Sequence, residues 1–303
     1  MLALTHPACL THDTGPEHPE RPARLRVVLE ALEQAYPQLQ WDQAPAASRE
    51  QLLRVHAPAL VEQVLEPFPA GHRQVDADTV VSPGSARAAL HAAGAGIAAV
   101  DAVLGGQAQT AFCAVRPPGH HASADSAGGF CLFNNVAVAA AHARAAHGLE
   151  RVAIVDFDVH HGNGTAAIFQ REPAVAYLST HQSGLFPHTG NPHERGAGNL
   201  HNVLLPPGSG GFRFRNTWAD TLLPALDAFA PQLLLVSAGF DAHLSDPMAD
   251  LMLETEDFAW LTAELRAIAR RHAGGRLVSM LEGGYNLDAL AECSVAHVGQ
   301  LLD

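Results

Sequence analysis

Val152-Ala153-Ile154-Val155-Asp156-Phe157-Asp158-Val159-His160-His161-Gly162-Asn163-Gly164 opens as an apolar run and turns at once into acids, imidazoles and glycines. An apolar run without polar alternation is the pattern of a strand covered on both faces, as in a parallel sheet. Ala111–Val115, Val175–Ser179, Leu233–Ser237 and Leu277–Leu281 repeat the apolar half. Helical periodicity fills the intervals. Leu25, Val28, Leu29 and Leu32 share a face of Arg24–Tyr36, and Phe258, Leu261, Leu265 and Ile268 share a face of Glu256–His272. The second helix ends in Arg270-Arg271-His272 ahead of Gly274-Gly275, a basic last turn followed by a stop. The alternation predicts a three-layer α/β fold in one domain over residues 1–303, with a mainly parallel central sheet and helices on both faces. Such sheets bind ligands at the carboxyl ends of their strands.

Composition narrows the function. With 303 residues, 48% of them apolar and 16% charged, the chain is globular rather than disordered. Its formal charge of −13 argues against sequence-independent binding to nucleic acid. The opening MLALTHPACLTHD has no basic region and no long apolar core, so no secretory signal is expected. No run of about 18 apolar residues announces a membrane span. Cys9, Cys113, Cys131 and Cys293 are scattered without a CxxC pair and read as reduced thiols, so the expected location is the cytoplasm.

The chemistry sits just after the apolar runs. Arg116-Pro117-Pro118-Gly119-His120-His121 follows the first, and Asp156 to Gly164 follows the second. Ser237-Ala238-Gly239-Phe240-Asp241-Ala242-His243-Leu244-Ser245-Asp246-Pro247 and Glu282-Gly283-Gly284-Tyr285-Asn286 follow two more. In extended chain, residues two apart face the same side, so Asp158 and His160 can hold one ion. Asp246, from another strand end, supplies a third ligand and leaves positions for water and substrate, the pattern of a catalytic metal. The O,O,N set suits Zn²⁺ and tolerates Fe²⁺. Adjacent His120 and His121 repel when both are charged, so each needs a partner, and Asp156 and Asn163 are the natural ones. A carboxylate makes one imidazole more basic and an amide only orients the other, which separates their roles. Tyr285, after two glycines, can donate its hydroxyl to a developing oxyanion.

Together these blocks resemble the histone deacetylase superfamily, which includes acetoin-utilisation proteins and acetylpolyamine amidohydrolases. His18-Pro19-Glu20-Arg21-Pro22, Val81-Ser82-Pro83-Gly84-Ser85, Gly128-Gly129-Phe130-Cys131-Leu132-Phe133-Asn134-Asn135 and Leu185-Phe186-Pro187 extend the likeness over about residues 5 to 290. The HHGNG and SAGFD variants look like the class II branch. The resemblance implies the arginase-type fold with one active-site tunnel, and Asp158, His160 and Asp246 as metal ligands. It implies His120, His121, Asp156, Asn163 and Tyr285 as the catalytic set, with Gly129, Phe130 and Phe186 as tunnel walls. Arg24 matches an arginine of an inner acetate-release channel. The family also binds potassium: Asp156, Asp158, His160, Ser179 and Thr180 fit an inner site, and an outer site falls near Phe169, Glu172, Val175 and His201.

The implied reaction is hydrolysis of an N-acetyl amide, with His121 as the base and His120 mainly electrostatic. At the rim, Asp78 matches a residue that hydrogen-bonds the substrate backbone, and Leu253, seven residues after Asp246, matches a gatekeeper that is acidic in polyamine-preferring members. Both features favour acetyl-lysine in proteins or peptides, with acetylpolyamines or another small acylated amine as the alternative. All 18 basic side chains are arginine, so such an enzyme carries no lysine of its own to be acylated. A non-catalytic acyl-lysine binding protein is expected to lack Tyr285 or a ligand, and a two-metal ureohydrolase needs further bridging carboxylates; the sequence fits neither.

Overall fold

The computed structural model describes residues 1–68 and 70–302. Its main sheet has eight strands: β1 Leu2–Thr5, β2 Gln40–Gln43, β5 Thr110–Cys113, β6 Val152–Asp156, β7 Val175–Gln182, β8 Leu200–Leu205, β9 Leu233–Ala238 and β10 Leu277–Leu281. A separate antiparallel hairpin pairs β3 Arg73–Gln74 with β4 Val80–Val81. The order across the main sheet is β2-β1-β5-β10-β9-β6-β7-β8, and every neighbouring pair is parallel. The five apolar runs are the central strands and β7, and every residue in them is buried.

The helices are α1 Pro22–Ala35, α2 Arg49–Leu52, α3 Pro58–Leu65, α4 Ser85–Leu104, α5 Asn135–His147, α6 Asn163–Phe169, α7 Gly211–Thr217, α8 Leu223–Phe229, α9 Thr255–His272 and α10 Leu287–Leu302. Two adjacent residues of β10 show how they are layered. The Ser279 hydroxyl lies 2.7 Å from Nε2 of His297 on α10, while Met280 packs against Gly96 of α4. Successive strand side chains point to opposite faces. Hence α4, with α5 beside it, covers one face, and α10, with α1 and α9, covers the other. Buried apolar side chains from Ala3 to Leu301 form one continuous cluster. By length and composition α4 could cross a membrane, which the sequence reading did not single out, but two-thirds of it is buried against the sheet and α5. It is a core helix.

The chain places β5 and β6 on either side of the inserted pair β10–β9, so the carboxyl ends of these four strands share one rim. A buried charge cluster closes the rim from below. The Glu20 carboxylate accepts from Arg116 at 2.5 and 2.7 Å and from Arg24 at 3.2 Å. Arg116 also donates to the carbonyls of Cys9 and His12. Arg24 reaches across to the Glu282 carbonyl at 2.6 Å and the Gly284 carbonyl at 2.5 Å. Removing one partner from so buried a set leaves an uncompensated charge, a loss on the order of 3–5 kcal/mol. The cluster therefore fixes the loop after β10 to the N-terminal segment.

Candidate functional site

The end of β6 turns Asp158 and His160 inward, and the end of β9 brings Asp241 against them. One ligand atom from each of Asp158, His160 and Asp241 lies within 4.8 Å of the other two. His160 Nδ1 is 3.0 Å from Asp158 Oδ1 and 3.2 Å from Asp241 Oδ2. The remaining carboxylate oxygens accept backbone amides: Gly283 N donates to Asp158 Oδ2 at 2.9 Å, and Val159 N to Asp241 Oδ1 at 2.9 Å. Position 283 must be glycine, because a Cβ there would stand 2.1 Å from Asp241 Oδ2 and 2.5 Å from Asp158 Oδ2.

The charges call for a cation. Burial alone would lower His160, but its bonds to Asp158 and Asp241 push it up to about 10. Burial, with the nearby Asp158 charge, pushes Asp241 up to about 7. Two buried carboxylates and an imidazole nitrogen at this spacing fit a divalent ion of the zinc class. A second group, Asp101 with His142 and His147, lies between α4 and α5. There Arg54 Nη1 is 2.9 Å from His142 Nδ1 and can only donate, so Nε2 of His142 carries its proton and is not a ligand.

Asp246, the third ligand of the sequence reading, stands beside this nest, where its charge helps to raise Asp241. Its carboxylate also caps a loop, accepting from Tyr285 N at 2.6 Å, Asn286 N at 3.1 Å and Met248 N at 3.0 Å. Leu253 does not reach the rim. It is 0% exposed and backbone-bonded to Ala242 and Leu244, because the chain folds back beside His243 and drives the side chain into the core. It lines no mouth.

The histidine pair stands as expected. The rings of His120 and His121 are 4.0 Å apart. His120 Nδ1 lies 3.0 Å from Asp156 Oδ2, and His120 Nε2 lies 3.8 Å from Asp158 Oδ2. Burial opposes its charge, yet Asp156, Asp158 and Glu282 hold His120 well above the usual imidazole range. His121 Nδ1 is 2.7 Å from the Asn163 carbonyl oxygen, which only accepts. The His121 proton therefore sits on Nδ1 and Nε2 is left free to take another. Burial, then the charges of His120 and His160, hold His121 well below the usual range.

Tyr285 is placed from two sides. Asp246 holds its backbone amide, and the Arg24 guanidinium lies over its ring at 4.8 Å. Burial raises its hydroxyl well above the usual phenol range, so the hydroxyl is a donor. Phe130 lies 5.9 Å from the Tyr285 ring and Phe186 lies 5.1 Å from the His121 ring. Gly129 donates to Asp78 Oδ1 at 3.1 Å, tying the rim residue to the loop that carries Phe130. Asp156 and Ser179 are paired in register across β6 and β7, and Asp156, Asp158, His160, Ser179 and Thr180 are all buried.

Glu282 is a site residue that the sequence reading passed over. Its carboxylate accepts from Gly119 N at 2.6 Å, His120 N at 3.2 Å and the Ser237 hydroxyl at 3.1 Å, and burial pushes it up to about 7. A lone acid directly after an apolar run, ahead of Gly283-Gly284, was the available signal.

Residues 18–301 match the histone deacetylase domain. A histone deacetylase-like amidohydrolase of Pseudomonas aeruginosa is 44% identical over 290 residues, covering 94% of this chain and 76% of that one. The polyamine deacetylase HDAC10 of Homo sapiens is 40% identical over 301 residues, 93% of this chain and 44% of that one. The crystal structure of the HDA15 HD domain superposes with a TM-score of 0.94 at 34% identity, covering 99% of this chain and 87% of that one.

If an amide partner keeps His121 neutral, then Asn163→Asp, which sets a carboxylate against Nδ1, raises the His121 titration midpoint by roughly 1–3 pH units. Ring-nitrogen chemical shifts followed against pH measure it. An unmoved midpoint removes Asn163 from this role.

Proposed function

The chain belongs to the histone deacetylase family and is a deacetylase, and from that premise we propose that it removes acetyl groups from acetyl-lysine in peptides or proteins with one Zn²⁺-class ion. The observation that carries this reading is the gathering of the Asp158–His160–Asp241 nest, the free Nε2 of His121 and the Tyr285 hydroxyl beside Phe130 and Phe186. Asp158, His160 and Asp246 would hold the ion, with Asp241 bracing the nest through His160, and the ion would supply Lewis acidity at the amide carbonyl and lower the pKa of water. His121 takes the proton of the attacking water at Nε2. As the carbonyl oxygen gains charge, Tyr285 donates a hydrogen bond to it. His121 then gives its proton to the leaving amine, while cationic His120, paired with Asp156, stabilises the negative charge nearby. Phe130 and Phe186 flank the apolar stem of the lysine and exclude water. Potassium takes the inner set Asp156, Asp158, His160, Ser179 and Thr180.

Substrate choice rests on the rim. Asp78 spends Oδ1 on Gly129 N and on the Thr79 hydroxyl. We assign its Oδ2 to a peptide amide, a contact that a bare polyamine lacks. The second reading, an acetylpolyamine substrate, draws on the 40% identity to a polyamine deacetylase.

Three outcomes check these assignments. Asp246→Ala loses both metal and activity in the purified protein. Full metal occupancy in Asp246→Ala refutes the ligand set. Tyr285→Phe keeps fold and metal but loses on the order of 10²–10³ in kcat, and near-native turnover of an acetyl-lysine peptide sinks the donor role. Measured side by side, kcat/KM is higher for an acetyl-lysine peptide than for acetylspermidine. A tenfold preference of the native protein for the polyamine overturns the substrate assignment.

A further inference from the structure

The resemblance implies an outer potassium site near Phe169, Glu172, Val175 and His201, between the end of α6 and the start of β7. Three of those residues do turn their carbonyls to one point, but a side chain of this chain occupies it. Asn199 Nδ2 lies 2.8 Å from the Phe169 carbonyl, 3.1 Å from that of Glu172 and 2.7 Å from that of Val175. The amide cannot be turned round. Its Oδ1 accepts from Ala197 N at 3.0 Å, so a flip would set an oxygen against three carbonyls and an NH₂ against an N–H. Asn199 is only 4% exposed. The loop before it is built for the insertion: Gly196 has φ +54°, and a Cβ there would stand 2.8 Å from Asn199 Oδ1. Behind it, the Asn199 carbonyl accepts from Tyr177 N at 2.9 Å, which joins the start of β8 to β7. His201 lies inside β8, in register with Leu178.

We propose that in this protein the Asn199 amide replaces the outer monovalent cation, so that no potassium binds between the carbonyls of Phe169, Glu172 and Val175. An NH₂ brings two hydrogens and a partial positive charge to three acceptors, and a cation cannot share its position. The α6–β7 turn, which leads into the strand bearing Ser179 and Thr180, is then tethered by the chain itself rather than by an exchangeable ion. Removing the amide takes one donor from all three carbonyls, of which those of Phe169 and Glu172 keep the backbone amides of Glu172 and Val175, and turns the nest into a potassium site.

The test uses thallous ion, a potassium mimic located by its anomalous scattering, and thermal midpoints in potassium or choline chloride at equal ionic strength. Native crystals soaked in thallous acetate show no peak between the three carbonyls. Asn199→Ala gains a peak there and is stabilised by potassium, relative to choline, by several degrees more than the native protein. Asn199→Asp, of the same shape, shows the same gain. A thallous peak at the nest in native crystals overturns the proposal. So does a folded Asn199→Ala or Asn199→Asp protein whose potassium response equals that of the native protein. If neither variant folds, the native crystals decide alone.

Discussion

Four carboxylates are buried where the central strands end: Asp156, Asp158, Asp241 and Glu282, none more than 1% exposed. An ionised carboxylate in a dry interior is tolerated only when its oxygens are hydrogen-bonded and its charge is balanced. That requirement shapes everything around it. Asp156 takes the Tyr177 hydroxyl, His120 and the amide of Asp158. Asp158 and Asp241 draw in the amides of Gly283 and Val159, and Glu282 those of Gly119 and His120. The loops after β5, β6 and β10 are thus wound around acids. The glycines in them follow from how closely backbone must approach oxygen. What hydrogen bonds leave unbalanced is net negative charge, which holds His120 protonated and, with no ion bound, His160 as well; a divalent ion in the nest would take the place of the His160 proton.

The same surplus separates the two adjacent imidazoles. His120 faces Asp156 and Asp158 and keeps its proton; His121 faces an amide and two neighbouring positive charges and gives its proton up. A neutral imidazole base beside a cationic one is a pairing that amide hydrolysis can use. Tyr285 completes it from the other side, and its placement needs both Asp246 beneath the backbone and Arg24 over the ring. Asp246 therefore joins the two sides of the site: its oxygens hold the Tyr285 loop while its charge acts on Asp241 in the nest.

The central strands were legible because unbroken apolar runs admit few other readings. The edge strands were not: Gln40–Gln43 is polar, and Leu200–Leu205 mixes buried and half-buried residues without a period. The histidine pair and its partners were legible from chemistry alone, since the adjoining block holds one amide and, once Asp158 is set beside His160 as a ligand, one remaining carboxylate. The part played by Asp241 was not: it follows the same strand as Asp246, and no spacing tells that its carboxylate packs against Asp158 and His160. Leu253 was set at the rim by spacing alone, whereas the fold-back beside His243 buries it. Asn199 lay beyond reach for a related reason: no spacing rule tells that a side chain will fill a nest of backbone carbonyls.

Arginine is the only strong base in the chain, and at two positions geometry demands it. Arg116 spans both oxygens of Glu20 and two further carbonyls, and Arg24 joins Glu20 to the carbonyls of Glu282 and Gly284. A lysine ammonium is a point donor with three hydrogens and cannot bridge acceptors so far apart in one plane. Lysine at position 24 would keep a charge near Glu20 yet release the loop that carries Tyr285. The catalytic hydroxyl is thus positioned through a planar fork buried on the N-terminal helix, far along the chain from the strand end it serves.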